Sequence, residues 1–248
     1  MNIFRGTFRL LRLLVHLLKG IHICYTALGD VERFDLTEKQ HRIIQDWLSK
    51  VAKIIGLDLT VHGTPQKSPA FVVANHVSWL DIVIVASVLP VSFLSKVEVR
   101  KWPVVGTLAA KSGTLFIHRG SKTGALEAIH LMQERLRAGH SVASFPEAKT
   151  TDGTRVHAFH PRLFAAAIET KSTIQPVAIR YPHASGVNPI VPFVDNRNLV
   201  KHAFRIMSAK RTAVELTLCE PISSEGQPRK QLAQLARNSV ADVFENSS

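Results

Sequence analysis

The chain has 248 residues, 46% of them hydrophobic and 20% charged, the makeup of an ordinary globular protein long enough to bury a sizeable core. A formal charge of +12, a sequence pI near 10.1 and a mean hydropathy of +0.08 combine basic with apolar character, which suits an anionic membrane surface. These proportions exclude intrinsic disorder; with 7% aromatic residues and no zinc-finger, homeodomain or RNP-type pattern, nucleic acid is not an expected partner.

The first predicted element is an apolar stretch over Phe8 to Leu28. Arg5, Arg9, Arg12, His16 and Lys19 recur through and before it at spacings of four and three, which collects them on one helical face. A spanning helix would bury these cations in hydrocarbon. A helix lying in the interface keeps them among anionic headgroups, at roughly 1 kcal/mol of attraction per Lys or Arg. The sequence therefore predicts an in-plane membrane helix, the other reading being a first helix packed on the domain. A cleaved signal peptide fits poorly, because basic residues interrupt the apolar run and no A-x-A site follows.

A second helix starts at Thr37-Glu38-Lys39-Gln40, which fits a capping box, and continues with Ile43, Ile44, Trp47, Leu48, Val51, Ile54 and Ile55 at helical spacing. Residues 1–56 are thus expected as an amphipathic two-helix segment ahead of an α/β domain spanning 57–248. Within that domain, short β-rich runs are expected at Leu57 to Val61, Phe71 to Ala74, Ser92 to Leu94, Thr114 to Ile117, Ser141 to Phe145, Ile174 to Ile179 and Val214 to Leu218. They alternate with helical stretches at Leu80 to Val88, Lys122 to Ala138, Pro161 to Thr170 and Arg229 to Phe244, which predicts a mixed sheet flanked by helices. Cys24 and Cys219 have no metal or redox spacing, consistent with a reducing, cytosol-facing location.

The run Val72-Val73-Ala74-Asn75-His76-Val77-Ser78-Trp79-Leu80-Asp81 passes from a buried-strand pattern into a helix start. His76 therefore sits at the carboxyl edge of the sheet, where ligand sites of α/β folds form. Asp81, five residues on, has the reach to fold back and accept the Nδ1 proton of His76, leaving the other ring nitrogen as a base. Ser78-Trp79-Leu80-Asp81 also looks like a capping box, so Asp81 has a structural reading beside the catalytic one.

Asn-His-x-x-x-x-Asp, followed in order by three further blocks, resembles the glycerolipid acyltransferase family that includes 1-acylglycerol-3-phosphate acyltransferases; the likeness covers roughly Leu36 to Pro221. The second block, Gly113-Thr114-Leu115-Phe116-Ile117-His118-Arg119-Gly120, is similar to the family's Gly-x-x-Phe-Ile-x-Arg. This implies that Arg119 binds acceptor phosphate, for which a guanidinium fork is chemically suited. The third, Ser144-Phe145-Pro146-Glu147-Ala148-Lys149, is similar to Phe-Pro-Glu-Gly-Thr and implies that Glu147 binds or orients the acceptor. Ala148 replaces the family's glycine and restricts positive φ, while Lys149 replaces threonine and adds a cation. That departure opens the acceptor's identity, including a lyso-ornithine lipid. The fourth block, Ile174 to Ile179, reads equally well as a buried strand.

The resemblance implies transfer of a fatty acyl group from an acyl-carrier protein or coenzyme A thioester to a lysophospholipid hydroxyl, with 1-acylglycerol-3-phosphate the leading acceptor. It also implies His76 as general base, Asp81 as its orienting group, and a site on the cytoplasmic face of a membrane. Asn75 is a further candidate for substrate binding. Lys96, at the end of a strand, either helps bind phosphate or is simply solvated. Gly139-His140-Ser141-Val142-Ala143 lacks the last glycine of a nucleophile elbow, which argues against a serine hydrolase. His157 and His160 have no cysteine or carboxylate cluster to complete a shell, so neither a metal nor a bound cofactor is expected.

Overall fold

The apolar runs pair into a seven-stranded sheet with helices on both faces. The computed structural model describes residues 2–29, 36–66, 69–118, 122–195 and 198–245. The helices are α1 (Ile3–Ile23, continued by a π-turn over Cys24–Leu28), α2 (Glu38–Ile55), α3 (Leu80–Val88), α4 (Val105–Lys111), α5 (Lys122–Arg137), α6 (Phe164–Thr170), α7 (Leu199–Ser208) and α8 (Arg229–Glu245). The strands are β1 (Leu57–His62), β2 (Ala70–Ala74), β3 (Val91–Lys96), β4 (Leu115–Ile117), β5 (Ser141–Ser144), β6 (Thr173–Arg180), β7 (Pro182–His183), β8 (Gly186–Val187) and β9 (Thr212–Leu218). Each expected run coincides with one of these strands, two of them reaching one residue too far, at Thr114 and at Phe145; α4, α7 and the small β7–β8 hairpin were not expected.

The sheet order is β1-β9-β6-β2-β5-β3-β4. β6, β2, β5, β3 and β4 are mutually parallel, while β1 and β9, parallel to each other, run against β6. β2 occupies the middle and is buried at every residue, as expected of a parallel strand covered on both faces. Its side chains alternate between two cores. Val72 and Ala74 pack with residues of α2, α3 and α7, and Phe71 and Val73 pack with residues of α5, α6 and α8. Because β2 and β5 are adjacent and parallel, the loops leaving their carboxyl ends emerge side by side.

α2 begins as the sequence predicts: Thr37 accepts from the Gln40 amide, and the Gln40 side chain accepts from the Thr37 amide. Its buried residues Val51, Ala52 and Ile55 belong to the first core, so α2 is fastened to the sheet layer.

α1 departs from expectation in its orientation. Arg9, expected among lipid headgroups, turns inward; its guanidinium donates to the carbonyls of Met207, Ala209 and Lys210 and so caps the C-terminal end of α7. His16 stacks on Trp47 and bonds its carbonyl. The close approach on this face depends on glycine, since a Cβ at Gly6 would lie 2.3 Å from Ser208 Oγ and one at Gly20 would lie 2.7 Å from the Trp47 ring. Phe4, Phe8, Leu11, Val15 and Leu18 consequently face outward, and their side chains are mostly exposed. Among the described residues, Ile3–Leu28 is the one helical stretch long and apolar enough to cross a membrane.

Candidate active site

The turn from β2 into α3 folds around the Asp81 carboxylate. Asp81, with 0% exposure, accepts at Oδ2 from His76 Nδ1 (2.8 Å), from the Val77 amide (2.7 Å) and from the Ser78 amide (2.9 Å). One carboxylate therefore holds both the turn before α3 and the imidazole, while the expected capping box is left incomplete, since Ser78 Oγ has no partner among the described residues. The bonds to Asp81 occupy the Val77 and Ser78 amides.

The second oxygen of Asp81 receives the hydroxyl of Tyr181 at 2.5 Å. Tyr181 follows β6, is buried, and is pushed well above the ordinary tyrosine pKa, first by burial and then by the Asp81 charge, so it stays a donor. Nothing in the residues around it marks it out beyond its place just after the fourth block.

His76 is braced from the neighbouring loop. Glu147 Oε2 accepts from the His76 amide (2.6 Å), and Thr151 donates its amide to the His76 carbonyl (2.8 Å). Glu147 Oε1 accepts from the His157 amide (2.7 Å), so both carboxylate oxygens hold backbone. Burial raises the Glu147 pKa and the two amide bonds oppose that rise. Glu147, expected to bind or orient the acceptor, is 4% exposed in this structure and ties the His76 amide to the loop at His157. The imidazole itself stacks on Phe145, ring centroids 4.0 Å apart, and Phe145 stacks in turn on Phe93.

Asn75, the further candidate for substrate binding, has its side chain engaged by backbone. Its side-chain amide donates to the Ile179 carbonyl (2.9 Å) and accepts from the Ile179 amide (2.8 Å), locking the end of β2 to β6, and it is 2% exposed. Lys96 is exposed at the end of β3 and does not line the cavity described below. Arg119 lies outside the described residues. The strand before it, β4, ends at the same sheet edge three positions from β2, about 14 Å away at the usual strand spacing. Ala148 adopts φ 62°, the left-handed conformation that a glycine at this place would take freely.

With Nδ1 committed to Asp81, His76 keeps Nε2 for a cavity of about 650 Å³. Phe93, Leu94, Ile117, Phe145 and Leu163 give it an apolar lining, and Lys149, Arg162, Arg229 and Lys230 supply cations. Such a site can hold an alkyl chain beside a half-buried imidazole whose Nδ1 is bound to a carboxylate, an arrangement that can take a proton at Nε2.

An acyltransferase domain model matches residues 58–180, the span from β1 through β6 that contains this site. The chain is 39% identical over 206 residues to the lyso-ornithine lipid O-acyltransferase of Pseudomonas aeruginosa, covering 83% of this chain and 80% of that one. It is 32% identical over 190 residues to the 1-acyl-sn-glycerol-3-phosphate acyltransferase of Neisseria meningitidis, covering 76% and 74%. The crystal structure of the 1-acyl-sn-glycerophosphate acyltransferase PlsC from Thermotoga maritima superposes with a TM-score of 0.66 at 22% identity, over 96% of this chain and 97% of that one, and shares the fold. The protein is an acyltransferase and belongs to the glycerolipid acyltransferase family.

Proposed function

We propose that this enzyme moves a fatty acyl group from an acyl thioester to the hydroxyl of a lysolipid, with His76 as general base and Asp81 as its orienting partner. The observation carrying the chemistry is the His76 Nδ1 to Asp81 bond beside the apolar cavity. His76 Nε2 takes the hydroxyl proton while that oxygen attacks the thioester carbonyl. Asp81 stabilises the imidazolium that results, the C–S bond then breaks, and the proton passes from His76 to the departing thiolate. No covalent enzyme intermediate is required, because a thiolate leaves readily.

The proposed acceptor is a lyso-ornithine lipid, supported by the 39% identity to an enzyme of that name and by Ala148-Lys149 in the third block. A second reading, 1-acylglycerol-3-phosphate, is favoured by the Neisseria relative and by Gly113 to Arg119, whose arginine suits a phosphate. The donor is an acyl-carrier protein or coenzyme A thioester. The outward apolar stripe of α1 rests in the membrane interface, while Arg9, Gly6 and Gly20 keep the opposite face on the domain.

The test is transfer of a radiolabelled acyl group from its thioester to lyso-ornithine lipid and to lysophosphatidate, in detergent, by the natural protein and by His76→Ala. Transfer to lyso-ornithine lipid that falls by about 10² to 10⁴-fold in His76→Ala is expected. The variant should fold, because the bonds to Glu147 and Thr151 use His76 backbone atoms. Transfer to lysophosphatidate alone reassigns the acceptor; undiminished turnover by folded His76→Ala removes His76 from the mechanism.

A further inference from the structure

We propose that Arg162, Arg229 and Lys230 form a subsite for the phosphate on the pantetheine arm of the thioester donor, an inference that rests on the acyl-transfer reading above. Arg162 lies in a 3-10 turn over Pro161–Leu163 that leads into α6, and Arg229 and Lys230 open α8. The chain separates these two places by more than sixty residues, yet the fold brings both to the cavity that His76 lines. Among the described residues none of the three has a hydrogen-bond or ion-pair partner, so their charge is free to meet an anion. Two guanidinium forks and an ammonium are the donors that phosphate oxygens accept from most strongly.

Phe93, Leu94, Ile117 and Leu163 line the same cavity with apolar surface. A ligand that fills it has an alkyl chain, a reactive carbonyl at the histidine, and an anion at the cationic wall. An acyl thioester of phosphopantetheine has these three parts, and the arm is common to carrier-protein and coenzyme A donors.

The two faces of the sheet separate donor from acceptor. The cations belong to the layer of α5, α6 and α8, whereas the outward apolar stripe belongs to α1, which packs on α2 and α7 across the sheet. A lysolipid comes from the side that meets lipid. A water-borne donor enters from the other side, where Arg162, Arg229 and Lys230 are exposed. Lys149 lines the cavity from the loop that braces His76 and is not assigned to this subsite.

The experiment uses two unreactive thioether analogues, S-alkyl-4′-phosphopantetheine and S-alkyl-pantetheine, which differ by the phosphate alone. Their equilibrium binding is measured to the full chain and to a variant carrying Arg162→Ala, Arg229→Ala and Lys230→Ala together. The natural protein should bind the phosphorylated analogue at least about tenfold more tightly, and the triple variant should lose that preference. A second variant, Arg162→Lys with Arg229→Lys, should keep most of it, which separates lost charge from lost fold. Equal binding of both analogues by the natural protein, or a preference that survives in the triple variant, overturns the proposal. In turnover, the triple variant should raise the donor KM and leave the acceptor KM unchanged; a rise confined to the acceptor KM assigns the cations to its headgroup and also overturns it. The binding measurements need no acyl transfer, so a natural protein that fails to turn over sinks the functional reading while leaving the subsite tested.

Discussion

The end of β2 and the first helix are held to the same domain in opposite ways. Around His76 the bonds over-determine a few atoms: its amide, its carbonyl, its Nδ1 and both oxygens of Asp81 all have partners. α1 is attached along one face only, through Arg9, His16 and two glycines, and shows a row of large apolar side chains on the other. A motif specifies atoms, and the structure gives each atom of this one a place. Amphipathic spacing specifies only that two faces differ; which face meets the protein depends on what is there to receive it. For α1 the receiving groups are the open carbonyls at the end of α7, which draw Arg9 inward and leave the apolar face outside.

The contrast breaks if α1 is ornamental. Phe4, Leu11 and Leu18 lie seven residues apart on one outward strip, and each is more than half exposed. Replacing all three with Gln should weaken partition into anionic vesicles by about 10³-fold, taking roughly 1.5 kcal/mol from each lost side chain. The thermal midpoint should stay unchanged, since none of the three is in the core. Unaltered vesicle flotation would end the interfacial reading of α1. At the other region, Tyr181→Phe removes one bond to Asp81 with almost no change in shape. Stability should fall by about 1.5 to 3 kcal/mol, the usual worth of a hydrogen bond to a charged group. Because the tyrosine acts through Asp81, kcat should drop by about tenfold with acceptor KM unchanged. An increase in KM with kcat preserved would mean that Tyr181 shapes the pocket and does not position the dyad. The smallest effect belongs to Ala148. Glycine there relieves about 1 to 2 kcal/mol of left-handed strain and gives back about 0.4 to 1 kcal/mol through a looser unfolded chain. Ala148→Gly should therefore stabilise the protein by up to about 1.6 kcal/mol in a urea titration, and a lower midpoint would contradict the strain.

Much of this was legible in the residues. Runs such as Phe71 to Ala74 and Ile174 to Ile179 announced the sheet because strands buried on both faces must be apolar throughout. Thr37 and Gln40 announced the start of α2 because a capping box is local. His76 and Asp81 were legible for the same reason, being five residues apart across one turn. What escaped was non-local. Asn75 and Glu147 carry polar side chains next to a catalytic motif and so read as substrate contacts, yet their partners are backbone groups that only the folded chain brings near. Tyr181 is an isolated aromatic after a strand, and nothing in its neighbourhood distinguishes it from packing. α7 was hidden because its apolar residues serve as a floor for α1 and Trp79 and do not form a long periodic run.

The non-local bracing of His76 has a consequence for how the enzyme is made. His76 is encoded early in the chain, but Glu147 stands 71 residues further on and Tyr181 lies 100 residues beyond Asp81. A ribosome that has released only the first motif exposes a histidine with no fixed loop beneath it and an aspartate lacking its buried donor. The His76 turn therefore reaches its braced form late in synthesis, after β5 and β6 have closed on β2 and brought Glu147 and Tyr181 to it.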